Sequence, residues 1–348
     1  MNSDAVRNSG VQAALVSAVL FGASTPLAKL LLGDLSPWML AGLLYMGSGL
    51  GLGAYRLARR STRVRLAPHE LLPLLGGIIS GGVVAPVLLM IGLAGMPASG
   101  ASLLLNLEGV FTAVLAWVVF RENVDRRVLL GMAAIVAGAA VLSWSGSVDV
   151  ADPWPSLAVI GACLAWGLDN NLTRKVALND ATWLAAAKGL VAGPVNLTLA
   201  LALGATLPAA GVLLAAMAVG LLSYGVSLVL FIVALRHVGT ARAGAYYSIA
   251  PFIGAAIAVT LGAPATWQLG VAGVLMAAGV WLHLTERHEH EHTHQALTHE
   301  HWHTHNDGHH DHAHEPPVAP GTRHRHSHAH RTVTHRHPHY PDSHHQHH

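Results

Sequence analysis

The sequence predicts an all-α integral membrane protein of ten transmembrane helices, arranged as two inverted five-helix repeats. Of its 348 residues, 52% are hydrophobic and 11% are charged, whereas soluble domains carry about 25% charge. Apolar runs of about 20 residues, the length that crosses the hydrocarbon core of a bilayer, follow one another along the chain. Basic residues fall in alternate loops, and the two halves of the apolar region resemble each other.

Composition divides the chain into a cytoplasmic N-terminus (1–10), a membrane domain (11–284) and a polar tail (285–348), which holds 23 of the 26 histidines. The first apolar run is one of many, so we expect it to remain as a span and not to be cleaved as a signal peptide. The net charge of +2 is too small to indicate nucleic acid as a partner. Cys163 is the only cysteine, which excludes an intramolecular disulfide framework.

The ten predicted spans are residues 11–32, 37–55, 71–93, 97–119, 127–145, 156–174, 181–203, 209–235, 239–262 and 266–284. Several contain proline, including Pro26, Pro86, Pro194 and Pro251. Transmembrane helices tolerate proline where neighbouring groups satisfy the backbone groups that it leaves free.

Basic residues orient these spans, because Lys and Arg concentrate in cytoplasmic loops. The loops after spans 2, 4, 6 and 8 contain Arg56, Arg59, Arg60, Arg63, Arg65, Arg121, Arg126, Arg127, Arg174, Lys175, Arg236 and Arg242. The alternate loops, around 33–36, 94–96, 146–155, 204–208 and 263–265, contain neither Lys nor Arg. The pattern predicts a multi-pass protein of the plasma (inner) membrane with both termini in the cytoplasm.

The two predicted repeats cover residues 11–145 and 156–284. A shift of 142 residues lays LEGVFTAVLAW (107–117) on IAPFIGAAIAV (249–259). Because five is odd, the second repeat enters the membrane from the opposite side. Secondary transporters commonly have this plan, with the substrate site near the midplane between the repeats.

Three segments resemble the EamA family of the drug/metabolite transporter (DMT) superfamily. NLEGVFTAVLAWVVFRENV (106–124) resembles the family hallmark, FGASTPLAKLLL (21–32) its first-helix signature, and SIAPFIGAAIAV (248–259) the second copy of the hallmark. The resemblance covers residues 11–284 and implies ten helices, two inverted repeats and carrier-type transport. One departure is Gly109, which stands where the family has proline. No Walker-type phosphate loop or catalytic constellation is present, so we expect a transporter and no enzyme.

Ionisable groups inside the hydrocarbon are costly, so each one is a candidate for transport or coupling. Glu108 lies mid-span and matches Ala250 in the second repeat. We expect it near the bilayer centre, where it could load and release a proton, or else act as a protonated packing group. Lys29 matches Arg174, and both lie near span ends, so a snorkelling anchor and a transport role both stay open for Lys29.

Asp169 and Lys188 have no charged counterpart in the first repeat. We expect them at similar depth in the cytoplasmic half of the membrane, where an ion pair would serve transport or lock two helices together. Asp169 opens the sequence DNNLTR, so Asn170 and Asn171 join the candidates at a helix end that we expect to meet water or substrate. Asn106, two residues before Glu108, completes the set.

Glycines recur at every second position at Gly47, Gly49, Gly51 and Gly53. Small residues allow the backbones of transmembrane helices to approach closely. We therefore predict close packing of the second span.

In the tail, histidine alternates with other residues. Alternate side chains of an extended chain point the same way, and imidazole binds zinc, nickel, cobalt and copper(II). The candidate metal ligands are His288, His290, His292, His294, His301, His303, His305, His309, His310, His312, His314, His324, His326, His328, His330, His335, His337 and His339. The composition is typical of a disordered segment. We expect no required cofactor, only such ions on the tail.

The sequence leaves two main functions. One is a proton- or ion-coupled carrier or exporter of a small metabolite or drug-like solute, with the tail as a metal-responsive regulator or buffer. The alternative is a divalent transition-metal (Ni, Co or Zn) exporter fed by the tail. Against the alternative, the spans contain no histidine except His283 at the last span's end. The expected partners are the lipid bilayer and a small-molecule or ion substrate, and a homodimer is also compatible with the sequence.

Overall fold

The computed structural model describes residues 3–61, 64, 66–120, 126–143, 153–173, 176, 180–238, 246–284, 289–294, 298–303, 324–329 and 333–338. The chain divides into two units, Met1–Glu286 and Arg287–His348. The first unit is the membrane domain and the second is the histidine-rich tail.

The described part of the first unit is helical throughout, as predicted. Its first half contains α1 (Ser3–Gly22), α2 (Ser24–Leu31), α3 (Pro37–Ala58), α4 (Pro68–Gly77), the π-helix π1 (Ile78–Val84), α5 (Ala85–Gly95), α6 (Ala98–Leu104), α7 (Leu107–Phe120) and α8 (Arg126–Ser143). Its second half contains α9 (Trp154–Thr173), α10 (Ala181–Ala202), α11 (Ala210–Gly220), the π-helix π2 (Leu221–Val226), α12 (Ser227–Val238), α13 (Ala250–Thr260) and α14 (Trp267–Leu284). Each predicted span overlaps one of these helices or a consecutive group of them, and several helices extend beyond the predicted bounds, as α1 does by beginning at Ser3.

Among the described residues, six helical stretches are long and apolar enough to cross a membrane by length and composition. They are Ser9–Leu31, Pro68–Gly95, Ala98–Val119, Arg126–Ser143, Ala181–Ala202 and Ala210–Ala234. Large apolar side chains cover the outside of the unit; Leu72 is 80% exposed and Val274 is 71% exposed. An outer surface of this kind suits contact with lipid.

Polar side chains cap the N-termini of two helices, α3 and α10. Ser36 accepts a hydrogen bond from the Met39 N–H at the start of α3, and Asp180 accepts one from the Trp183 N–H at the start of α10. Asp180 also pairs with Arg56 at 2.7 Å. Burial opposes ionisation of Asp180, but the hydrogen bonds from Arg56 and Trp183 outweigh it and keep the pKa of Asp180 below its ordinary value. The cap is therefore charged at neutral pH.

The helices of the two halves pack on one another in a reciprocal pattern. The first helix of each half packs on the third helix of the other half, in the pairs α1–α12 and α9–α5. The second helices pack together (α3 on α10), as do the fifth helices (α8 on α14) and parts of the fourth helices (α6 on α13). Exchanging the halves leaves this set of contacts unchanged.

The alternating glycines of α3 face two different helices. Gly47 lies against the backbone of Met217 in α11, and Gly51 lies against a side chain of π2. Between them, Gly49 lies against the backbone of Gly189 in α10, where an added Cβ would come 2.6 Å from the Gly189 carbonyl carbon. The predicted close approach of this span is confirmed, and it occurs on two sides of the helix.

Several membrane helices are interrupted near their middles. A turn at Ala23 separates α1 from α2, a turn at Leu105 and Asn106 separates α6 from α7, and residues 248–249 form a turn before α13. The third helix of each half contains a π-helix, and the two π-helices begin 143 residues apart. Irregular backbone at membrane depth occurs where it is buried in protein or lines a cavity.

The second unit contains four short strands in its described residues: β1 (Glu289–His294), β2 (Thr298–His303), β3 (His324–Ala329) and β4 (Val333–Pro338). β1 pairs with β4 and β2 pairs with β3, both antiparallel. Composition predicts no regular structure for residues 285–348. The strands form where histidine alternates with another residue, which is the two-residue period of an extended chain.

Candidate functional site

Glu108 lies one residue after the start of α7, in the middle of the membrane-length stretch Ala98–Val119. The interruption at Leu105 and Asn106 places it at the end of a half-helix, and its N–H donates to the Leu105 carbonyl at 3.1 Å. Its carboxylate Oε1 accepts a hydrogen bond from Asn170 Nδ2 at 2.9 Å. Glu108 is partly exposed and Asn170 is exposed. An accessible carboxyl at this depth has the chemistry of a proton or cation carrier.

Two adjacent asparagines hold α9 against α7. Asn170 Nδ2 donates to Thr112 Oγ1 at 3.2 Å as well as to Glu108. Asn171 Nδ2 donates to the Thr112 backbone carbonyl at 3.1 Å and to the Gly167 carbonyl at 2.8 Å. Gly167 has the Phe111 and Thr112 backbone so close that a side chain there would collide with it. The polar end of α9 predicted from DNNLTR therefore contacts the helix that carries Glu108.

Asp169 and Lys188 form the predicted ion pair between α9 and α10. Lys188 Nζ donates to Asp169 Oδ1 at 2.6 Å and Oδ2 at 2.8 Å, and to Thr173 Oγ1 at 2.9 Å. The two charged side chains are 17% and 9% exposed. An ammonium group has three N–H donors, and all three are used within this cluster. This geometry favours the helix-locking alternative over direct substrate binding by Lys188.

The Asp169 carboxylate sits in a niche made by two glycines of the third helix. A Cβ added to Gly77 would come 2.6 Å from Asp169 Oδ1, and one added to Gly81 would overlap Oδ2. A larger residue at either position would therefore displace the ion pair. The niche brings the α4–π1 segment into the same cluster as α9 and α10.

Lys29 and Asn106 lie apart from the ion pair, and their side chains donate hydrogen bonds to backbone carbonyls. Lys29 Nζ donates to the carbonyls of Leu93 at 2.6 Å and Ala94 at 3.1 Å, in the last turn of α5. A cation at a helix C-terminus satisfies carbonyls that have no helical partner, so this geometry favours the structural role for Lys29. Asn106 Nδ2 donates to the Leu103 carbonyl at 2.9 Å across the interruption between α6 and α7.

The helix interruptions meet at one narrow cleft. Its lining comes from the first, fourth and ninth spans and consists of Phe21, Gly22, Thr25, Ser102, Leu105, Ala250 and Pro251. The cleft encloses about 150 Å³ of empty space and is too narrow to admit a water molecule. Ser102 Oγ is buried there without a hydrogen-bond partner. This cleft is therefore too narrow to hold a solute in this conformation.

Four further residues of the bundle interior were not singled out from the sequence. Tyr45 Oη and Trp166 Nε1 both donate to the Gly81 carbonyl, at 2.6 and 3.0 Å. Asn196 Nδ2 donates to the Gly82 carbonyl at 3.1 Å, and Tyr224 stacks on Tyr45 with ring centroids 5.5 Å apart. Pro86 is the available signal in the sequence, because a proline inside a helix leaves carbonyls that need other donors. Which side chains donate to these carbonyls depends on tertiary packing.

Among the described residues, no group of three or more His, Cys, Asp or Glu is arranged to hold a metal ion. Eight of the predicted ligands lie outside those residues: His288, His305, His309, His310, His312, His314, His330 and His339. The other ten lie on β1–β4, for which only the backbone is described. Metal binding by the tail stays a prediction.

Comparison with known proteins finds similarity to a transporter family, to a relative and to solved structures. Residues 8–144 match the model of the EamA-like transporter family. An uncharacterised transporter of Methanothermobacter thermautotrophicus is 28% identical over 290 residues, which are 77% of this chain and 84% of that protein. A crystal structure, described only as that of a protein, matches with a TM-score of 0.60 and 20% identity over 78% of this chain and 95% of the other.

The structural match shows a shared fold, and the family match falls on the segment that contains Lys29, Asn106 and Glu108. The predicted resemblance is thereby confirmed. The chain is a multi-pass membrane protein whose residues 8–144 are similar to the EamA-like transporter family.

Proposed function

We propose that this protein is a secondary-active carrier that moves a small metabolite or drug-like solute across the plasma (inner) membrane, coupled to a proton or another ion. Glu108 is the observation that carries the proposal. It is an accessible carboxyl in the middle of an interrupted span, held by a neutral amide donor from α9. Intramembrane carboxyls of this kind mark proton and ion pathways.

Ten spans in two inverted repeats would give Glu108 access from both sides in turn. The reciprocal contacts between the halves support this plan, as does the matching position of π1 and π2 in the two third helices. Carriers of this type alternate by rocking one repeat against the other around a site near the midplane. The narrow cleft lined by Ser102 and Ala250 would widen in other stages of that cycle.

Within this scheme the charged residues have separate tasks. Glu108 gains and loses the coupling proton or ion, while Asn170 and Thr112 fix the position of its carboxyl. Asp169 and Lys188 neutralise each other, so their cluster adds no net charge to the path. Lys29 stabilises the end of α5.

The test is proton-coupled flux in liposomes that contain the purified full-length chain and a pH-sensitive dye. A panel of amino acids, organic amines and nucleosides is added outside, and substrate-driven pH change is recorded. We expect Glu108→Gln to abolish the coupled flux of any active compound. Lys29→Gln is the matched control because it removes a charge that caps a helix, and we expect it to retain flux. Full transport by Glu108→Gln would refute the assignment.

We also propose that the tail is cytoplasmic and binds Zn, Ni, Co or Cu ions as a regulator or buffer. The supporting observation is the His-x-His alternation, whose intervening Glu and Asp residues complete ligand sets that suit these ions. The alternative is a divalent-metal exporter that the tail feeds.

Metal tolerance separates these roles of the tail. Cells without the gene are compared with cells that carry the full chain or a version truncated after Arg287. Sensitivity of both the deletion and, in part, the truncation would favour metal export. Unchanged tolerance in both would eliminate the exporter and leave the coupled solute carrier.

A further inference from the structure

Pro86 explains why π1 has carbonyls without backbone donors. In a π-helix each N–H donates to the carbonyl five residues earlier, and the Ala85 N–H does donate to the Ser80 carbonyl. The next bond in this series would join residue 86 to the Gly81 carbonyl, but proline has no N–H. The α-helical donor to the Gly82 carbonyl would be Pro86 as well. The Gly81 carbonyl therefore depends on side chains, and the Gly82 carbonyl lacks its α-helical donor.

Three side chains from three different helices supply the missing donors. Tyr45 of α3 and Trp166 of α9 share the Gly81 carbonyl, and Asn196 of α10 takes the Gly82 carbonyl. Tyr45 and Trp166 are each 8% exposed, and Asn196 is fully buried. In this low-dielectric setting a carbonyl that loses its donor is costly. The shape of π1 is thus fixed by its neighbours.

Tyr45 also touches the second π-helix. Its ring stacks on the ring of Tyr224, inside π2, with centroids 5.5 Å apart and planes at 37°. The preceding residue, Leu44, has its carbonyl directly against Gly220, the last residue before π2. On the far side, Tyr224 stacks edge-on against Phe21, beside the turn that separates α1 from α2. One side chain on α3 therefore contacts π1 through its hydroxyl and π2 through its ring.

We propose that Tyr45 couples the two π-helices, so that loosening of either one loosens the other. A π-helix that returns to α-helical pairing shifts its bonds by one residue and turns the rest of the helix with it. Such a shift in π1 would withdraw the Gly81 carbonyl from Tyr45 and free the Tyr45 ring to leave Tyr224. Tyr45 is then the positioning residue that makes the third helices of the two halves move together. Its use in alternation rests on the proposed transport, whereas the coupling itself does not.

Hydrogen exchange with mass spectrometry on the full-length protein tests the coupling without any substrate. Trp166→Phe removes one donor to Gly81, and its side chain does not belong to π2. Loss of one hydrogen bond should speed exchange in residues 78–84 about fivefold. If Tyr45 couples the helices, residues 221–226 should speed up by a comparable factor in the same variant. In a Tyr45→Leu background, Trp166→Phe should affect residues 78–84 alone.

A second variant approaches the coupling from the other end. Tyr224→Leu removes the ring that Tyr45 stacks on, and it should speed exchange in residues 78–84. Helix α8, which packs on α14, is the internal control and should keep its exchange rate in every variant. Faster exchange in residues 78–84 alone after Trp166→Phe, with Tyr45 intact, would overturn the proposal. An unchanged rate in those residues after Tyr224→Leu would overturn it too.

Discussion

Two buried serines show how much the partner of a hydroxyl matters inside this bundle. Ser102 Oγ has no partner and lines the central cleft. Ser17 Oγ donates to the Ser227 carbonyl at 2.7 Å, and Ser227 Oγ donates back to the Ser17 carbonyl at 3.0 Å. Both Ser17 and Ser102 are at most 1% exposed. They therefore form a matched pair that differs in hydrogen bonding.

We expect Ser102→Ala to leave the free energy of unfolding unchanged or to raise it by up to about 1 kcal/mol, because it removes a polar atom that is buried without a partner. Ser17→Ala should lower the free energy of unfolding by about 1 kcal/mol, since it breaks a reciprocal pair. Reversible unfolding in detergent measures both. A loss of 1 kcal/mol or more in Ser102→Ala would mean that this hydroxyl is bound by a group such as an ordered water.

The ion pair between Asp169 and Lys188 calls for a different comparison. Lys188→Met would leave the largely buried Asp169 carboxyl without its cationic partner, with Thr173 as its remaining side-chain donor. Removing one partner of a buried pair costs about 3 kcal/mol, and we expect a loss of that order in the free energy of unfolding. The double variant Asp169→Asn with Lys188→Met should recover most of it.

Flux then separates stability from transport for the same pair. If the double variant folds and carries solute as the parent does, the pair is a lock between α9 and α10. A folded double variant without flux would instead return Asp169 or Lys188 to the transport path.

At the level of single helices, α3 sets the tightest packing in the bundle. Gly49 has backbone atoms of Gly189 and Leu190 within 3.0 Å of the position a Cβ would take. Gly53, one turn later on the same side, has only the Leu190 side chain in reach, at 3.7 Å. The two glycines share a helix and a composition but differ in the space beside them.

Gly49→Ala should lower the free energy of unfolding by about 1–3 kcal/mol, because backbone must move to admit the methyl group. Gly53→Ala should change it by no more than about 0.5 kcal/mol. Thermal or denaturant unfolding in detergent compares the variants directly. Equal losses in both would show that the close approach of Gly189 does not set the cost of a methyl group on this face.

Sequence reasoning finds the helices more easily than their irregularities. Apolar length predicts the helical membrane unit and the six membrane-length stretches within it, since the bilayer imposes that length. The glycines at 47–53 predict close approach correctly, but not that it occurs on two sides. Pro86 predicts an irregularity in the third span. The side chains that donate to the carbonyls of π1, however, come from α3, α9 and α10. No local pattern links residues so far apart in the chain.

For the whole membrane unit, the candidate site is partly predictable because its charges break the resemblance between the halves. Glu108, Asp169 and Lys188 match uncharged residues in the other repeat, and the fold places all three on the neighbouring helices α7, α9 and α10. The sequence could not assign Asn170 to Glu108, because adjacent residues on α9 point to different neighbours. The sequence also left the role of Lys29 open. Its contact with the end of α5 favours the structural role.

The division into two units predicts that the tail is dispensable for the membrane domain. Truncation after Arg287 should leave the unfolding temperature of the membrane unit and its solute flux unchanged. It should abolish the binding of Zn or Ni, measured by calorimetry on the purified protein. Retained metal binding after truncation would place the ligands within residues 1–287 and contradict the assignment to the tail.

The glycines of α3 also affect how this helix can slide along its neighbours α10 and α11. Interlocked side chains hold two helices in one register, because each knob must leave its hole before either helix can slide. Where Gly49 lies against Gly189 and Gly47 lies against the backbone of Met217, no side chain is inserted between the helices. An axial shift of α3 therefore meets no interlocked side chain at these two contacts, whereas the Leu221 side chain still interlocks with α3 at Gly51. The helix that carries Tyr45 is thus held against α10 and α11 by backbone contact at these two points.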